Sequence, residues 1–170
     1  PQASVAAGVR AVLTGSSLPT VVDGDGLSAL GPDAATVLAG RPATVLTPHD
    51  GEHERLVGKP PGPDRLDAAR CLAAATGAVV LLKGPATVVA DPAGQVRIVT
   101  AGDARLATAG TGDVLSGIIG ALLARGLAPL EAAAAGAWLH ATAGALGPAV
   151  GLVASDLVAH LPGALTQVTG

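Results

Sequence analysis

The sequence predicts an α/β fold in which helices cover both faces of a mostly parallel sheet. Residues 20–27 are a short buried strand that continues into a loop with two acids, residues 43–47 and 78–82 are further short strands, and the three alternate with helical segments, as in parallel sheets joined by crossover helices. The third segment is continuously aliphatic, which is typical of a strand covered on both faces. Residues 87–90 and 96–99 flank an Asp-Pro-Ala-Gly turn and predict an antiparallel hairpin.

The composition suits one compact domain. The chain has 170 residues, enough to bury a sizeable core. Its hydrophobic content of 49% comes almost entirely from Ala, Val, Leu and Ile, since Phe, Tyr and Met are absent and Trp occurs once. The formal net charge of −3 and the scattered basic residues provide no basic surface for nucleic acid.

Cysteine content and hydropathy predict a cytoplasmic protein. Cys71 is the one cysteine of the sequence, so no internal disulfide can form, and it lies in a helix-like segment. We therefore expect Cys71 to be a small core residue. No secretory leader is visible, and residues 132–154, although uncharged, are rich in Ala and Gly and include Gly147-Pro148, which argues against a membrane span.

Helices are predicted between the first strands. Residues 2–13 have apolar side chains at helical spacing, and residues 27–39 form a second helical segment that ends at Gly40. A third helix follows Pro48, and a fourth covers residues 64–75 with Asp64 as its cap.

The carboxyl ends of the first two strands carry candidate ligand contacts. Asp23 and Asp25 follow the first strand, where open α/β sheets bind ligands, and either could contact substrate or Mg²⁺ or cap the turn. His49 follows the second strand and is predicted to donate a hydrogen bond to a ligand. A zinc site with His53 lacks an obvious third ligand and the usual motif order.

A short loop follows the third strand and contains Lys83, Gly84, Pro85, Ala86 and Thr87. A lysine and a glycine just past a central strand suit a nucleotide phosphate. A solvated turn is the alternative.

A glycine-rich turn opens the next helix, which is predicted over residues 112–124. The turn consists of Ala109, Gly110, Thr111, Gly112 and Asp113. Free N–H groups at such a helix start can hold an anion, and the helix dipole favours a negative charge on Asp113. An acid beside an anion pocket indicates a base for phosphoryl transfer, whereas capping by Thr111 and Asp113 is the alternative.

Two helices complete the chain. The first runs from Pro129 to about Leu146 and carries His140, which we expect to be a hydrogen-bonded core histidine. The second is a short closing helix over residues 155–162, with a Ser or Asp cap. This arrangement places the predicted pocket between the Lys83 loop and the Gly110 turn.

An ordered set of motifs resembles the ADP/ATP-dependent NAD(P)H-hydrate dehydratase family. It comprises Val-Asp-Gly-Asp-Gly-Leu at 22–27, Thr-Pro-His-x-x-Glu-x-x-Arg-Leu at 47–56, Leu-Lys-Gly at 82–84, Leu-Ala-Thr-Ala-Gly-Thr-Gly-Asp-Val-Leu-Ser-Gly-Ile at 106–118, Gly-Ala-Trp-Leu-His at 136–140 and Ala-Ser-Asp-Leu at 154–157. Each motif alone is weak, but the order is specific and covers essentially the whole chain.

The resemblance implies a ribokinase-like three-layer α/β/α sandwich that dehydrates hydrated NADH and NADPH at the expense of ADP or ATP. Because the family's domain normally has a longer upstream part, it also implies that residues 1–170 are one dehydratase domain without its N-terminal portion. Assembly as a homo-oligomer and an NAD(P)H-hydrate epimerase, in the same polypeptide or separate, are further implications.

The resemblance also assigns residues. His49 would contact the hydrated dinucleotide, Asp113 the substrate, and Gly112 with the segment from Lys83 to Thr87 the adenylate. The residues Gly102-Asp103-Ala104-Arg105 replace the family's usual Asn-Pro-Gly-like segment, so no nucleotide contact is assigned there.

The mechanism implied is phosphorylation followed by elimination. Asp113 takes the proton of the ring hydroxyl, the oxygen attacks the terminal phosphate, and the amides of Gly110 to Gly112 stabilise the transferring oxygens. Mg²⁺ bridges the nucleotide phosphates. A small-molecule kinase of the same fold, of the hydroxyethylthiazole or sugar kinase type, and a nucleotide-binding fragment without catalysis are the alternatives.

Overall fold

A computed structural model describes residues 3–41 and 43–169 and contains a five-stranded sheet with helices on both faces. The predicted α/β fold class is confirmed. The strands lie side by side in chain order: β1 (Thr20–Val22), β2 (Thr44–Leu46), β3 (Val79–Leu82), β4 (Thr87–Ala90) and β5 (Val96–Val99).

The sheet is mixed. Strand β1 pairs with β2 and β2 with β3 in parallel, whereas β3 pairs with β4 and β4 with β5 in antiparallel orientation. Val22 lies beside Leu46, and Leu46 lies beside Val80, so β1, β2 and β3 end at the same edge of the sheet. The residues that follow these three strands are thereby brought together.

Eight α-helices surround the sheet in the described part of the chain. They are α1 (Ala3–Gly15), α2 (Asp25–Leu30), α3 (Ala34–Leu38), α4 (Asp50–Val57), α5 (Arg65–Thr76), α6 (Thr111–Ala124), α7 (Pro129–Leu146) and α8 (Ala154–Thr169). Gln2, with which the first predicted helix began, lies outside the described residues.

Alternating strand residues build a separate core on each face of the sheet. Leu46, Val80 and Leu82 pack with the apolar residues of α1 to α5. Val45 and Leu81 pack on the other face with residues of α6 and α7. Two covered faces make the three-layer sandwich that the sequence predicted.

Helices α6 and α7 approach closely. A β-carbon added to Gly136 of α7 would lie 2.6 Å from Ile119 Cγ1 of α6, so a larger residue would push the helices apart. The half-buried Trp138 of α7 packs against this core cluster and against a third cluster formed by α7 and α8.

Three predicted features differ in the structure. The helix expected over residues 27–39 is divided into α2, a 3₁₀ turn at Gly31–Asp33 and α3, because Pro32 and the positive φ of 54° at Gly31 interrupt it. The closing helix α8 is longer than expected and continues through Pro162. Buried Leu157 and Ala164 lie on both sides of this proline, and their packing outweighs the lost backbone hydrogen bond.

The third difference is Cys71, which is exposed and therefore not a core residue. The buried residues of α5 are Ala69, Leu72, Ala73 and Thr76, and Cys71 lies off that face of the helix. Its Sγ is 3.7 Å from Asp67 Oδ1, one turn earlier.

None of the helices within the described ranges, α7 included, has the length and apolar character that crossing a bilayer requires.

Candidate functional site

Three charged side chains meet at the carboxyl ends of β1, β2 and β3. Lys83 Nζ lies 2.9 Å from Asp23 Oδ1 and 3.5 Å from Glu52 Oε2. The side chain of Glu52 is 7% exposed, that of Asp23 18% and that of Lys83 24%. We call Asp23, Glu52 and Lys83 the charged cluster. The parallel register of the strands places it at the edge of the sheet where ligands of open α/β sheets bind.

Asp23 is held ionised by its neighbours. Burial would raise the pKa of its carboxyl, but the hydrogen bond and positive charge of Lys83, with hydrogen bonds from Thr47 and the Gly24 backbone, hold the pKa below its ordinary value of 3.8. Ser116 Oγ of α6 lies 3.2 Å from Asp23 Oδ2 and donates to it. Asp23 thus links the end of β1 to the Lys83 loop and to α6.

The turn-capping interpretation of Asp23 is met in part, and its contact with substrate or Mg²⁺ stays a prediction. The carboxylate does bond the following turn through Gly24, but it also reaches two segments that are distant in sequence. Asp25 lies in the first turn of α2 and is exposed.

Helix α4 begins with a reciprocal capping box. His49 Nδ1 accepts hydrogen bonds from the N–H groups of Gly51 (3.0 Å) and Glu52 (3.4 Å), and Glu52 Oε2 accepts one from the His49 N–H at 2.9 Å. Since Nδ1 is an acceptor, neutral His49 has its proton on Nε2. The side chain is 53% exposed, and its Nε2 lies 3.6 Å from Glu52 Oε1, beyond hydrogen-bond distance, so Nε2–H can donate to a ligand.

His49 and His53 belong to no group of three potential metal ligands in the described part of the chain. His53 is buried, and its Nδ1 lies 3.2 Å from the Lys59 carbonyl oxygen. Within residues 3–41 and 43–169, no three His, Cys, Asp or Glu side chains are grouped so as to hold a metal ion.

The glycine-rich turn presents backbone donors and a free carboxylate. Gly110 is the N-cap of α6, with a φ of 85° that favours glycine, and no side chain caps the helix there. Thr111 Oγ1 instead donates to the carbonyl oxygens of Leu106 (2.6 Å) and Thr108 (2.7 Å), and Asp113 is exposed. The capping interpretation of Thr111 and Asp113 is therefore wrong.

The turn adjoins the charged cluster. A β-carbon at Gly112 would lie 3.3 Å from Asp23 Oδ2 and 3.9 Å from Lys83 Nζ. Within the described residues, Thr111 N–H donates to Thr108 and Val114 N–H to Gly110, while the N–H groups of Gly112 and Asp113 donate to no protein acceptor. The structure thus brings together the two segments between which the sequence predicted a pocket.

His140 supports the glycine turn through a hydrogen bond to its backbone. It is 7% exposed, and its Nε2 lies 2.9 Å from the Thr111 carbonyl oxygen. Burial lowers the pKa of this imidazole, and the hydrogen bond to Thr111 opposes the shift only partly. His140 is therefore a neutral, hydrogen-bonded core histidine, as predicted.

The Lys83 loop is held on two sides. Lys83 N–H donates to the Pro48 carbonyl at 2.8 Å, and Arg65 Nη2 of α5 donates to the Lys83 carbonyl at 2.7 Å. Gly84 and Pro85 are exposed, and Ala86 and Thr87 are half-buried. An open apolar groove beside the loop is lined by Arg65, Leu66, Ala86, Val88 and Ile98.

The segment that departs from the family pattern forms a local structure of its own. Asp103 caps the 3₁₀ helix Ala104–Ala107 by accepting from Arg105 N–H at 2.9 Å. Its carboxylate also pairs with the Arg105 guanidinium at 2.8 Å, and these contacts hold the pKa of Asp103 below its ordinary value. Both charged groups of the segment are therefore engaged with each other.

A separate cavity of about 340 Å³ is lined by residues of α4 and α5 and by the segment between them. His53, Leu56, Cys71 and Leu72 are among its lining residues, and Asp23, Lys83 and Gly112 are not. This cavity is not part of the site at the strand ends.

Sequence reasoning assigned no role to Glu52, Ser116 or Arg65. The spacing of His49 and Glu52 is a recognisable capping-box signal, since a carboxylate three residues after a cap can return to the cap's N–H. Ser116 and Arg65 act through contacts 93 and 18 residues away in sequence, and no local pattern indicates them.

Comparison with known proteins places this geometry in context. The model of the NAD(P)H-hydrate dehydratase family matches residues 2–162. A bifunctional NAD(P)H-hydrate repair enzyme of Mycobacterium leprae is 52% identical over 159 residues, which cover 90% of this chain and 34% of that protein. An ADP-dependent (S)-NAD(P)H-hydrate dehydratase of Neisseria meningitidis is 45% identical over 149 residues, covering 82% of this chain and 50% of that one.

Solved structures share the fold. The ADP/ATP-dependent NAD(P)H-hydrate dehydratase of Bacillus subtilis, co-crystallised with ATP and Mg²⁺ and soaked with CoA, matches with a TM-score of 0.82 and 31% identity over 96% of this chain and 61% of that chain. A ribokinase-like superfamily protein of Enterococcus faecalis matches with a TM-score of 0.81 and 26% identity, over 98% of this chain and 60% of that chain. The fold is therefore ribokinase-like, and the chain spans between a third and two thirds of the length of these proteins.

Proposed function

Because the chain belongs to the NAD(P)H-hydrate dehydratase family, we propose that it dehydrates hydrated NADH and NADPH at the expense of ADP or ATP. The observation that carries the proposal is the junction of Gly112 with Asp23 and Lys83. There, free amides at a helix N-terminus adjoin a positioned ammonium group, which is a suitable environment for the phosphates of a nucleotide. The exposed carboxylate of Asp113 lies in the same turn.

In the proposed reaction, Asp113 accepts the proton from the hydroxyl group of the hydrated nicotinamide ring. The hydroxyl oxygen attacks the terminal phosphorus of ADP or ATP, and the bond to the bridging oxygen breaks, so that AMP or ADP leaves. The ring nitrogen then expels phosphate, and loss of a proton from the neighbouring ring carbon restores the dihydronicotinamide. Phosphate is a far better leaving group than hydroxide, which is why a nucleotide is consumed.

Backbone amides stabilise the phosphoryl group as it moves. The unbonded N–H groups of Gly112 and Asp113 lie at the positive end of the α6 dipole. We assign phosphate binding to the turn from Ala109 to Gly112 on this basis. The His140 ring bonds the Thr111 carbonyl oxygen, and the Thr111 hydroxyl donates to the Leu106 carbonyl oxygen. Both bonds hold the turn in place.

The strand ends supply the remaining contacts. We propose that Lys83, Gly84, Pro85, Ala86 and Thr87 bind the nucleotide, with Lys83 Nζ held between Asp23 and Glu52. His49 would donate its Nε2–H to the hydrated dinucleotide, since its Nδ1 is already used in the capping box. The capping box therefore orients the ring that contacts the substrate.

Mg²⁺ is part of the proposal as an ion carried by the nucleotide. The nearby acidic ligands are Asp23 and Glu52, and Lys83 already pairs with both. Phosphate oxygens and water would therefore supply most of the coordination, as Mg²⁺ commonly requires. When bound, the ion neutralises charge on the phosphates.

Three broader properties follow from family membership and are proposed with it. The protein would act in the cytoplasm and assemble as a homo-oligomer. It would work with an NAD(P)H-hydrate epimerase, in the same polypeptide or as a separate protein, because the Mycobacterium leprae relative is named as a bifunctional repair enzyme.

The decisive experiment is an assay of the full-length protein with hydrated NADH and either ADP or ATP. We expect the absorbance of reduced nicotinamide to return, with one AMP and one phosphate released per NADH when ADP is used. A stable phosphorylated product without return of absorbance would instead indicate a small-molecule kinase. Nucleotide binding without any turnover would also contradict the proposed activity.

A further inference from the structure

Arg65 is the first residue of α5, and its side chain contacts the Lys83 loop. Its Nη2 donates to the Lys83 carbonyl oxygen at 2.7 Å, and its Nη1 pairs with Asp50 Oδ1 of α4 at 2.8 Å. Its Nε is buried and has no hydrogen-bond partner among the described residues. A buried donor without a partner costs free energy. The position of the guanidinium is therefore determined by the bonds of Nη1 to Asp50 and of Nη2 to the Lys83 carbonyl oxygen.

The guanidinium also fills the space beside Gly84. A β-carbon at Gly84 would lie 2.5 Å from Arg65 Nη2, 2.9 Å from Cζ and 3.1 Å from Nε. The backbone of Gly84 has no positive φ, so an alanine would be tolerated there apart from this contact. A side chain at position 84 would therefore have to displace the Arg65 guanidinium.

We propose that Arg65 is a positioning residue that fixes the Lys83–Gly84 peptide in the conformation that binds the nucleotide. The inference rests on the proposed function, since it concerns the same loop. The planar guanidinium can bond the Lys83 carbonyl and Asp50 at once while lying against Gly84, which a lysine ammonium cannot do. The loop is thus pre-organised between Arg65 on one side and the charged cluster on the other.

The first test is the ADP affinity of single variants of the full-length protein. We expect Arg65→Ala to raise the Kd and KM for ADP about tenfold by loosening the loop, and to change the KM for the hydrated dinucleotide less than about twofold. Arg70→Ala is the matched control, because Arg70 is an exposed arginine of the same helix. It should leave both constants unchanged.

The second test uses the contact with Gly84. In Gly84→Ala the new methyl group displaces the guanidinium from the Lys83 carbonyl, and we expect ADP affinity to fall about fivefold. In the double variant Gly84→Ala/Arg65→Ala there is nothing left to displace, so its ADP affinity should equal that of Arg65→Ala alone. Effects that multiply to about fiftyfold would instead mean that Gly84 and Arg65 act on nucleotide binding independently, and would overturn the inference.

The remaining outcomes separate this inference from the proposed function. Wild-type protein that does not bind ADP would overturn both. Wild-type protein that binds ADP as tightly as Arg65→Ala would overturn the inference alone. If Arg65→Ala does not fold, as judged by circular dichroism, Arg65→Lys replaces it and should show a smaller loss of ADP affinity with the same selectivity.

Discussion

The two sides of the candidate site satisfy their polar groups in opposite ways. In the charged cluster, Lys83 pairs with Asp23 and Glu52, and all three side chains are at most 24% exposed. In the glycine turn, no side chain caps the helix, two amides donate to no described group, and Asp113 is exposed. One side is complete without a ligand, and the other presents groups that a ligand can engage.

This difference indicates a division of labour. Pairing reduces the attraction of Lys83 for a phosphate, but it also fixes the ammonium in place before a ligand arrives. The open turn has donors that strengthen their bonds only when charge develops on a transferred group. We therefore expect substitutions in the turn to affect turnover, and substitutions in the charged cluster to affect stability.

The largest expected effect is on turnover, from Asp113→Asn. An asparagine keeps the size and position of the side chain but cannot accept a proton, so kcat should fall by about 10²- to 10⁴-fold. Steady-state kinetics with hydrated NADH and ADP measure the loss. Near-normal turnover would show that Asp113 is not the base and would remove the proposed role of the open side.

Asp67→Asn is a control at the same helical position. Asp67 is the third residue of α5, as Asp113 is of α6, and both are exposed carboxylates in a first turn. Loss of a favourable dipole interaction is common to both variants and amounts to about 0.5 kcal/mol. Only Asp113→Asn should change kcat.

The second effect is on stability, from Glu52 in the charged cluster. Glu52→Ala leaves the His49 N–H without its acceptor and the Lys83 ammonium with Asp23 as its remaining ion-pair partner, and we expect the free energy of unfolding to fall by about 2–3 kcal/mol. Glu52→Gln retains an oxygen for the His49 N–H and should lose about 1 kcal/mol. Urea denaturation of both variants measures the difference.

The matched control is Glu54→Ala, because Glu54 is exposed on the same helix. It should change the free energy of unfolding by no more than about 0.5 kcal/mol. Equal losses in Glu52→Ala and Glu54→Ala would mean that the charged cluster contributes nothing to stability, and the contrast between the two sides would fail.

The smallest effect is the pH dependence of stability that arises from His140, which supports the glycine turn. Burial places the pKa of folded His140 below the ordinary value of 6.5, so between these two values the unfolded chain binds more protons than the folded one. Stability from neutral His140 is fully present above pH 6.5 and is lost as the pH falls through the lowered pKa. His140→Gln, whose amide can still donate to Thr111, should show a flatter decline of Tm with acidification. An identical decline in both proteins would exclude His140 as its cause.

Local sequence signals predicted much of this fold. The hairpin of β4 and β5 and the bounds of α7 follow from a turn sequence and from an N-terminal proline, which act within a few residues. Asp64 caps α5 as expected, with its Oδ1 accepting from Asp67 N–H at 2.9 Å. Such features depend on neighbours in the chain, and the sequence alone contains them.

Contacts between distant segments could not be predicted in the same way. The pairing of Asp23 with Lys83 depends on the register of three strands, and the bond from Ser116 depends on how α6 crosses the sheet. The prediction that Cys71 is a core residue rests on its residue type and on a helix-like segment, and it is wrong because the buried face of α5 excludes Cys71. The glycine turn could be predicted from sequence because the free N–H groups at a helix start depend only on residues that are close in the chain.

Trp138 is the one tryptophan side chain in residues 1–170, which contain no tyrosine or phenylalanine. It lies on α7 between Gly136, which α6 approaches, and His140, which supports the glycine turn. All tryptophan fluorescence of these residues therefore originates from one indole ring. Its emission wavelength and lifetime follow the packing of α6 against α7 without a label and without energy transfer from other aromatic residues.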